Sequence, residues 1–360
     1  MSFIPIKGRK ARVLVFGSGG VGTMAAYALE KGGMAEVTTV LRSNFKAVTE
    51  SGFKINSIDH GLDISWSPTH IRNAKDERHC SDNASQPYDF IVVATKNLAD
   101  ITPGVASLID RDVISDTTAI VLLQNGLNIE RPIVDAFPYN PVISGVPYIG
   151  AIESPPGTIN HVNHDELIIS PFRNDNIPCK LSEDAAMNFQ EIYGSCPNVT
   201  CIYERSVEKA RWRKLLYNAS YNTIAAILGM DTSRMRASEF IIDDLVRPAM
   251  KEIQATARQV SGVHLTDDLI ETVIRQDNYK AFFRPSMLQD IDKGKHIEVE
   301  NIIGEPVREA EKAGVETPTL RVIYSLLKAL QFKIKIVEGL VEVPTSGEKL
   351  KYGTSRTRGG

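Results

Sequence analysis

The pattern of apolar positions changes character near the middle of the chain. In the first half it comes as short runs, at Arg12 to Phe16, Val37 to Leu41, Phe90 to Ala94 and Ala119 to Leu123. Runs of this length, rich in β-branched residues, predict strands buried on both faces. Helical spacing occupies Thr23 to Leu29 and Leu98 to Ile109, so strand and helix alternate as they do around a parallel sheet. After Val142 the helical spacing thins out. Ile159, Val162 and Leu167 to Ile169, with Pro155-Pro156-Gly157 among them, predict short antiparallel strands that extend the sheet. The polar stretch from Arg72 to Gln86 reads as a surface insertion without a core of its own.

From about Ser206 the period is helical and stays so. The segments are Ser206 to Leu228, Ser238 to Val260, Asp267 to Arg275, Ile297 to Lys312 and Leu320 to Leu330. The tail from Thr345 is polar, with Gly, Lys and Arg, and predicts disorder.

The first strand leads directly into Gly17-Ser18-Gly19-Gly20-Val21-Gly22, and the helical spacing begins at Thr23. GxGxxG between a strand and a helix is the context in which the motif binds a dinucleotide. Gly17 permits the tight turn, Gly19 lets a pyrophosphate approach the backbone, and Gly22 lets helix and strand pack closely. The N-H groups and positive dipole end of the helix then face the phosphates. The second strand ends in Arg42-Ser43-Asn44, where an NAD-binding chain usually carries an acid for the ribose hydroxyls. An arginine there suits the 2'-phosphate of NADP(H), with Ser43 or Asn44 as helpers. A solvated loop arginine is the competing explanation. The expected fold is therefore α/β, an N-terminal Rossmann-type dinucleotide-binding domain (1–205) followed by an all-helical C-terminal domain (206–335) and an extension (336–360). Ligands of open α/β sheets bind at the carboxyl ends of the strands, which makes Thr95-Lys96-Asn97 and Gln124-Asn125-Gly126 candidate cofactor-edge loops.

Within the helical half, Lys214, Asn218 and Asn222 stand at i, i+4 and i+8 among apolar Leu215, Leu216, Ile224, Ala225 and Ile227. On a regular helix they form one polar stripe, which suggests a mostly buried helix whose stripe faces a cavity. A second polar segment, Arg284-Pro285-Ser286-Met287-Leu288-Gln289-Asp290, precedes Gly294-Lys295-His296-Ile297-Glu298. Pro285 can start a helix, and Glu298 taken alone is a first-turn acid favoured by the helix dipole.

Composition narrows the classes. The 360 residues are 42% hydrophobic and 24% charged with a net charge of -3, so nucleic acid and membrane surfaces are poor partners. No apolar run reaches the roughly 18 residues of a membrane helix. The basic residues Lys7 to Arg12 run into the first strand, so no cleavable leader is expected, and a cytoplasmic location follows. Four cysteines without CxxC spacing read as reduced thiols, and no metal site is expected.

With these motifs in order, the chain resembles the ketopantoate reductase (2-dehydropantoate 2-reductase) family over nearly all of residues 11 to 332. The resemblance rests on Gly17-x-Gly19-x-x-Gly22, Arg42, Lys96, Asn125, Trp212-Arg213-Lys214 with Asn218 and Asn222, Ser286-Met287-Leu288-Gln289-Asp290, and Glu298. It implies that NADPH delivers hydride to C2 of a 2-oxo acid and that Lys214 protonates the developing alkoxide. It further implies that Asn218 orients substrate and lysine, and that Asn125 lies beside nicotinamide and substrate. By the same resemblance, Ser286 would help hold the substrate carboxylate, Glu298 would accept a hydrogen bond from a distal hydroxyl, Asn222 would lie near the substrate, and Lys96 would contact the cofactor or assist the carboxylate. Thr223, Thr232 and Ile297 depart from residues common in relatives, which bears on the choice of acid. Reduction of another 2-oxo or 3-oxo acid, and a non-catalytic NADP(H) sensor, are the alternatives; a homo-oligomer is compatible with all of them.

Overall fold

The structure is a computed structural model that describes residues 8–75, 87–101 and 104–342. Strands β1 (Ala11–Phe16) and β2 (Ala35–Leu41) flank helix α1 (Gly20–Lys31). Then come α2 (Phe45–Ser51), β3 (Phe53–Ser57), β4 (Gly61–Trp66), β5 (His70–Asn73), β6 (Phe90–Val93), β7 (Ala119–Leu122) and α3 (Arg131–Ala136). The first half closes with β8 (Val142–Glu153), β9 (Thr158–Pro171), α4 (Cys179–Gly194) and β10 (Thr200–Tyr203). All ten strands join one sheet in the order β4-β3-β9-β8-β7-β6-β1-β2-β5, with β10 pairing β9.

From β5 to β8 neighbouring strands are parallel, with Val13 opposite both Val37 and Phe90. Every residue of β6 and β7 is buried, as expected of strands covered on both faces. The antiparallel extension predicted after Val142 is present as β8 and β9, but these strands are long, at 12 and 14 residues. The polar middle of β9 hides its length from a hydrophobicity count: Val162, Asn163 and His164 are exposed.

Three expectations need correction. Leu98 to Ile109 is not the expected helix: among its described residues the helical structure is a 3-10 turn at Val105–Leu108. Pro103 accounts for this, because proline disfavours helical backbone in the residue before it and lacks an N-H. Helix α4 lies where helical spacing had thinned out. Its buried Leu181, Ala185, Phe189 and Ile192 keep helical spacing among acids and amides, and Phe189 meets Phe90 of the sheet edge-on at 5.3 Å. Of the expected insertion, residues 72–73 belong to edge strand β5; residues 76–86 lie outside the described residues, as does the tail from Thr345.

The second half is largely helical. Helix α5 (Glu208–Leu216) continues through a π-helical stretch, Tyr217–Asn222, into α6 (Thr223–Leu228). After α7 (Thr232–Arg236), α8 (Glu239–Ile241) passes through a second π stretch, Ile242–Val246, into α9 (Arg247–Ser261). Helices α10 (Asp267–Arg275) and α11 (Ser286–Asp292) follow, then a third π stretch, Glu300–Gly304, with α12 (Glu305–Lys312) and finally α13 (Pro318–Val337). None of the described helices is long and apolar enough to cross a membrane. One apolar cluster unites these helices around Trp212, Leu216, Met250, Ile253, Leu288, Ile303 and Leu327.

Trp212 has no exposed surface, and its Nε1-H donates to Ser261 Oγ at 2.9 Å. Trp212→Ala is expected to lower unfolding free energy by about 3–5 kcal/mol in denaturant melts. A loss under about 1 kcal/mol would show that this cluster does not hold the helices together.

Candidate active site

The glycine loop is shaped by contacts that exclude side chains at three of its positions, Gly17, Gly20 and Gly22; a Cβ on Gly20 would lie 2.0 Å from Ala151 O. Gly17 adopts φ +93°, and a Cβ there would lie 2.4 Å from Thr95 N. A Cβ on Gly22 would lie 1.7 Å from Gly17 O. Gly19 is different: its Cβ position is open, with nothing within 4 Å. No side chain caps α1, so its first N-H groups face that open space. Ser18 is buried, and its Oγ meets no partner among the described residues. An orphaned hydroxyl, uncapped N-H donors and room above Gly19 together fit a pyrophosphate.

At the end of β2, Arg42 and Ser43 are exposed, and the Arg42 side chain meets no partner among the described residues. Asn44 plays another part than helper to a phosphate. It is buried, and its Nδ2 donates to Ser18 O and to Glu153 Oε1, both at 2.8 Å. Its amide is thus committed to the loop's shape.

The strand-end loops lie where expected. Gln124 Nε2 donates to Thr95 O at 2.6 Å and joins the loop after β7 to the loop after β6. Gly126 adopts φ +103° because the Asn301 backbone passes close above it. Leu127 N-H donates to Asn301 O at 2.8 Å, and Asn301 Nδ2 returns a bond to Leu127 O at 3.0 Å. The Asn125 loop is therefore clamped from the sheet side and from the helical side.

Lys214, Asn218 and Asn125 come together around a small, narrow cavity that Gln124, Gly126, Val146, Arg211 and Leu215 complete. Lys214 Nζ donates to Pro147 O and sits 5.5 Å from the centre of the Tyr148 ring. The side chain is half-buried and lines the cavity. Burial, reinforced by the Arg211 cation and opposed by Glu298, lowers the Lys214 ammonium from 10.5 to about 7. Burial raises the Glu298 carboxyl, while the Asn97 N-H at 2.9 Å, Lys96 and the Asn125 side chain pull it back. Glu298 thereby joins the two strand-end loops from the helical side.

The polar stripe divides. Lys214 and Asn218 line the cavity, but Asn222 does not. The π stretch between them changes the angular step of the helix, and Asn222 turns instead to α11. Its Nδ2 donates to Ser286 Oγ at 3.0 Å, and its Oδ1 accepts from Met287 N-H at 2.8 Å. Ser286 Oγ, once it accepts from Asn222, keeps its own proton free to donate. Lys96 forms an ion pair with Asp290 on α11. Burial raises the Asp290 carboxyl, and Lys96 opposes the shift.

Sequence reasoning missed two groups at this site. Arg211 stands one turn before Lys214 and is buried against Glu130; two lysine-like charges at i and i+3 on a buried helix face signal that a counterion must exist. Gln331 of α13 bonds both sides of residue 297, accepting from Ile297 N-H and donating to Ile297 O, each at 3.1 Å. No local signal marks that clamp, because its partners are 34 residues apart.

Comparison with known proteins places the chain in a family. The family described as ketopantoate reductase PanE/ApbA matches residues 13–174, and its C-terminal region matches residues 206–331. An uncharacterised protein of Saccharomyces cerevisiae is 35% identical, over 92% of this chain and 97% of its own. The crystal structure of 2-dehydropantoate 2-reductase from Methylococcus capsulatus superposes with a TM-score of 0.71 at 27% identity, covering 90% of this chain and 97% of that one. A ternary structure of D-mandelate dehydrogenase with NADH and anilino(oxo)acetate shares the fold, with a TM-score of 0.76 at 18% identity over 90% of this chain and 99% of that one. The chain belongs to the ketopantoate reductase family of NADP-dependent oxidoreductases.

Proposed function

We propose that this chain reduces ketopantoate to pantoate, in the route to pantothenate and coenzyme A, with Lys214 as proton donor. One observation carries the proposal: an ammonium tuned to about 7 shares a small cavity with the Asn125 and Asn218 amides. When bound, NADPH supplies the hydride. Addition to a ketone builds negative charge on oxygen, and a desolvated cation with a transferable proton stabilises that charge more than water does. Pro147 O aims the Lys214 ammonium, Asn218 orders the carbonyl against it, and Asn125 forms the wall on the cofactor side.

The free proton of Ser286 Oγ suits a substrate carboxylate, with Lys96 as the nearby countercharge once it leaves Asp290. Glu298 accepts from the distal hydroxyl of the acid. Asn222 acts one step back, by fixing Ser286. The glycine loop, Ser18 and Arg42 hold the dinucleotide, with Arg42 on the 2'-phosphate. A related 2-oxo acid is the second candidate, favoured by the buried apolar Ile297 beside Glu298. A sensor has no use for a lysine held at this acidity.

A spectrophotometric assay of NADPH oxidation with a panel of 2-oxo acids tests the reaction. Lys214→Ala is expected to lower kcat at least about 100-fold with ketopantoate; undiminished turnover removes the mechanism. The donor must be protonated, and the ammonium gives way to free amine as pH rises through about 7. The kcat/KM of reduction should accordingly fall above that pH, and a flat profile up to pH 9 contradicts the assignment.

Two substitutions examine the cofactor site by equilibrium titration. Arg42→Ala is expected to weaken NADPH about 10- to 100-fold and NADH little, since one charge-assisted phosphate contact is lost. Equal losses for the two cofactors show Arg42 to be misassigned. Gly19→Ala meets no atom of the free protein, so its melting temperature should hold while NADPH affinity drops at least about tenfold. Unchanged affinity places the pyrophosphate elsewhere.

A further inference from the structure

Arg211 makes a set of bonds out of proportion to a packing role. Its Nη1 donates to the carbonyl oxygens of Gln124 at 3.2 Å and Gly126 at 3.0 Å, the residues on either side of Asn125. Its Nε and Nη2 donate to Ser144 Oγ at 2.9 and 2.7 Å, and Nη2 also reaches Gly145 O at 3.3 Å on β8. Ser144 Oγ in turn donates a hydrogen bond to Glu130 Oε1, which lies 2.8 Å from Arg211 Nε. Arg211 is 4% exposed, Glu130 2% and Ser144 not at all. A guanidinium has five N-H donors in a rigid fork, and here the fork spans the Asn125 loop and β8 at once.

We propose that Arg211, locked to Glu130 through Ser144, is a positioning residue that fixes the Asn125 loop opposite Lys214. It rests on the assignment of Lys214 and Asn125 to the reaction. Both ends of the device bear on the cavity. Arg211 and Lys214 line it from successive turns of α5, while Gln124, Asn125 and Gly126 form the wall that Arg211 grips. Because the loop's carbonyls are tied from behind, the Asn125 side chain is presented without freedom of its backbone to drift. A displacement of about 1 Å at such a wall costs about 100-fold in rate.

The same cation acts on Lys214 through space. The groups facing that ammonium are Arg211 on its own helix, Glu298 from the helical side, and the aromatic ring and backbone of Tyr148 and Pro147 on β8. Of these Arg211 alone lowers it by charge, so the position of Arg211 sets both the loop and the acidity of the donor.

The test separates these two actions in the full-length chain. Lysine labelled with 13C at the ε-carbon reports the Lys214 titration directly in ligand-free protein, with Lys214→Met to assign the signal. In Arg211→Met/Glu130→Gln the buried pair is removed without leaving a lone charge, and the midpoint should rise by about one unit. Arg211→Lys keeps the charge but loses the fork, so the midpoint should hold while kcat with ketopantoate falls about tenfold with little change in KM. A folded double variant with an unmoved midpoint, or Arg211→Lys with parental kcat, overturns the proposal. If the double variant does not fold, Ser144→Ala takes its place: it removes the hydroxyl to which Nε and Nη2 of Arg211 donate, leaves the direct Arg211–Glu130 contact in place, and kcat should fall while the melting temperature changes by a few degrees. Parental kcat in Ser144→Ala then overturns the proposal. Undiminished turnover in Lys214→Ala would instead remove the catalytic assignment and leave the midpoint comparison standing.

Discussion

Keeping one lysine out of bulk water at the carboxyl edge of a sheet is the constraint on which this structure turns. A free-standing ammonium in an apolar helix face costs several kcal/mol, and proteins meet that cost with a partner or by shedding the proton. Both occur at Lys214. Pro147 O accepts from it, while burial and the Arg211 cation bring its acidity near neutrality. The arrangement needs a second buried cation one turn away, and that cation needs Glu130. Much of the polar architecture behind the cavity follows from this chain of requirements.

The two halves of the molecule meet through polar contacts at the strand-end loops. Glu298 takes the Asn97 N-H, Asn301 exchanges backbone and side-chain bonds with Leu127, Lys96 pairs with Asp290, and Gln331 and Lys335 reach Asp100. Each half has its own apolar clusters, so these bonds determine how the loops lie rather than whether either half folds. Such contacts can exchange for substrate or cofactor groups at little cost, since a bond to a ligand replaces a bond within the protein.

The π stretches have a related consequence. A regular helix would carry Lys214, Asn218 and Asn222 along one face. The stretch at Tyr217–Asn222 instead leaves Lys214 and Asn218 on the cavity and sends Asn222 to Ser286. One polar stripe thus serves two elements, the cavity wall and the start of α11. An irregular turn of this kind is tolerated because Leu216 and Ile224 anchor its flanks, and Tyr221 its interior, in the apolar cluster.

Local rules were enough for the parts of this protein whose causes are local. Apolar runs predict strands because a doubly covered strand buries every side chain, and Gly17 and Gly22 mark a tight turn with close helix–strand packing because backbone clearance is a property of the residue itself. The stretch of Leu98 to Ile109 misled for the complementary reason: its spacing is helical, but Pro103 overrides it. Helix α4 and the long β8-β9 pair escaped because their polar residues are solvent-facing positions that only the fold defines. Lys214, Asn218, Asn125 and Glu298 were legible as chemistry, through residue type and motif order. The convergence of Lys214, Asn218 and Asn125 on one cavity was not, nor was the grip of Arg211 on residues 124 and 126, more than 80 positions earlier. Hydrogen bonds and charge coupling depend on distances of a few ångströms between groups far apart in the chain, and tertiary structure alone sets those distances.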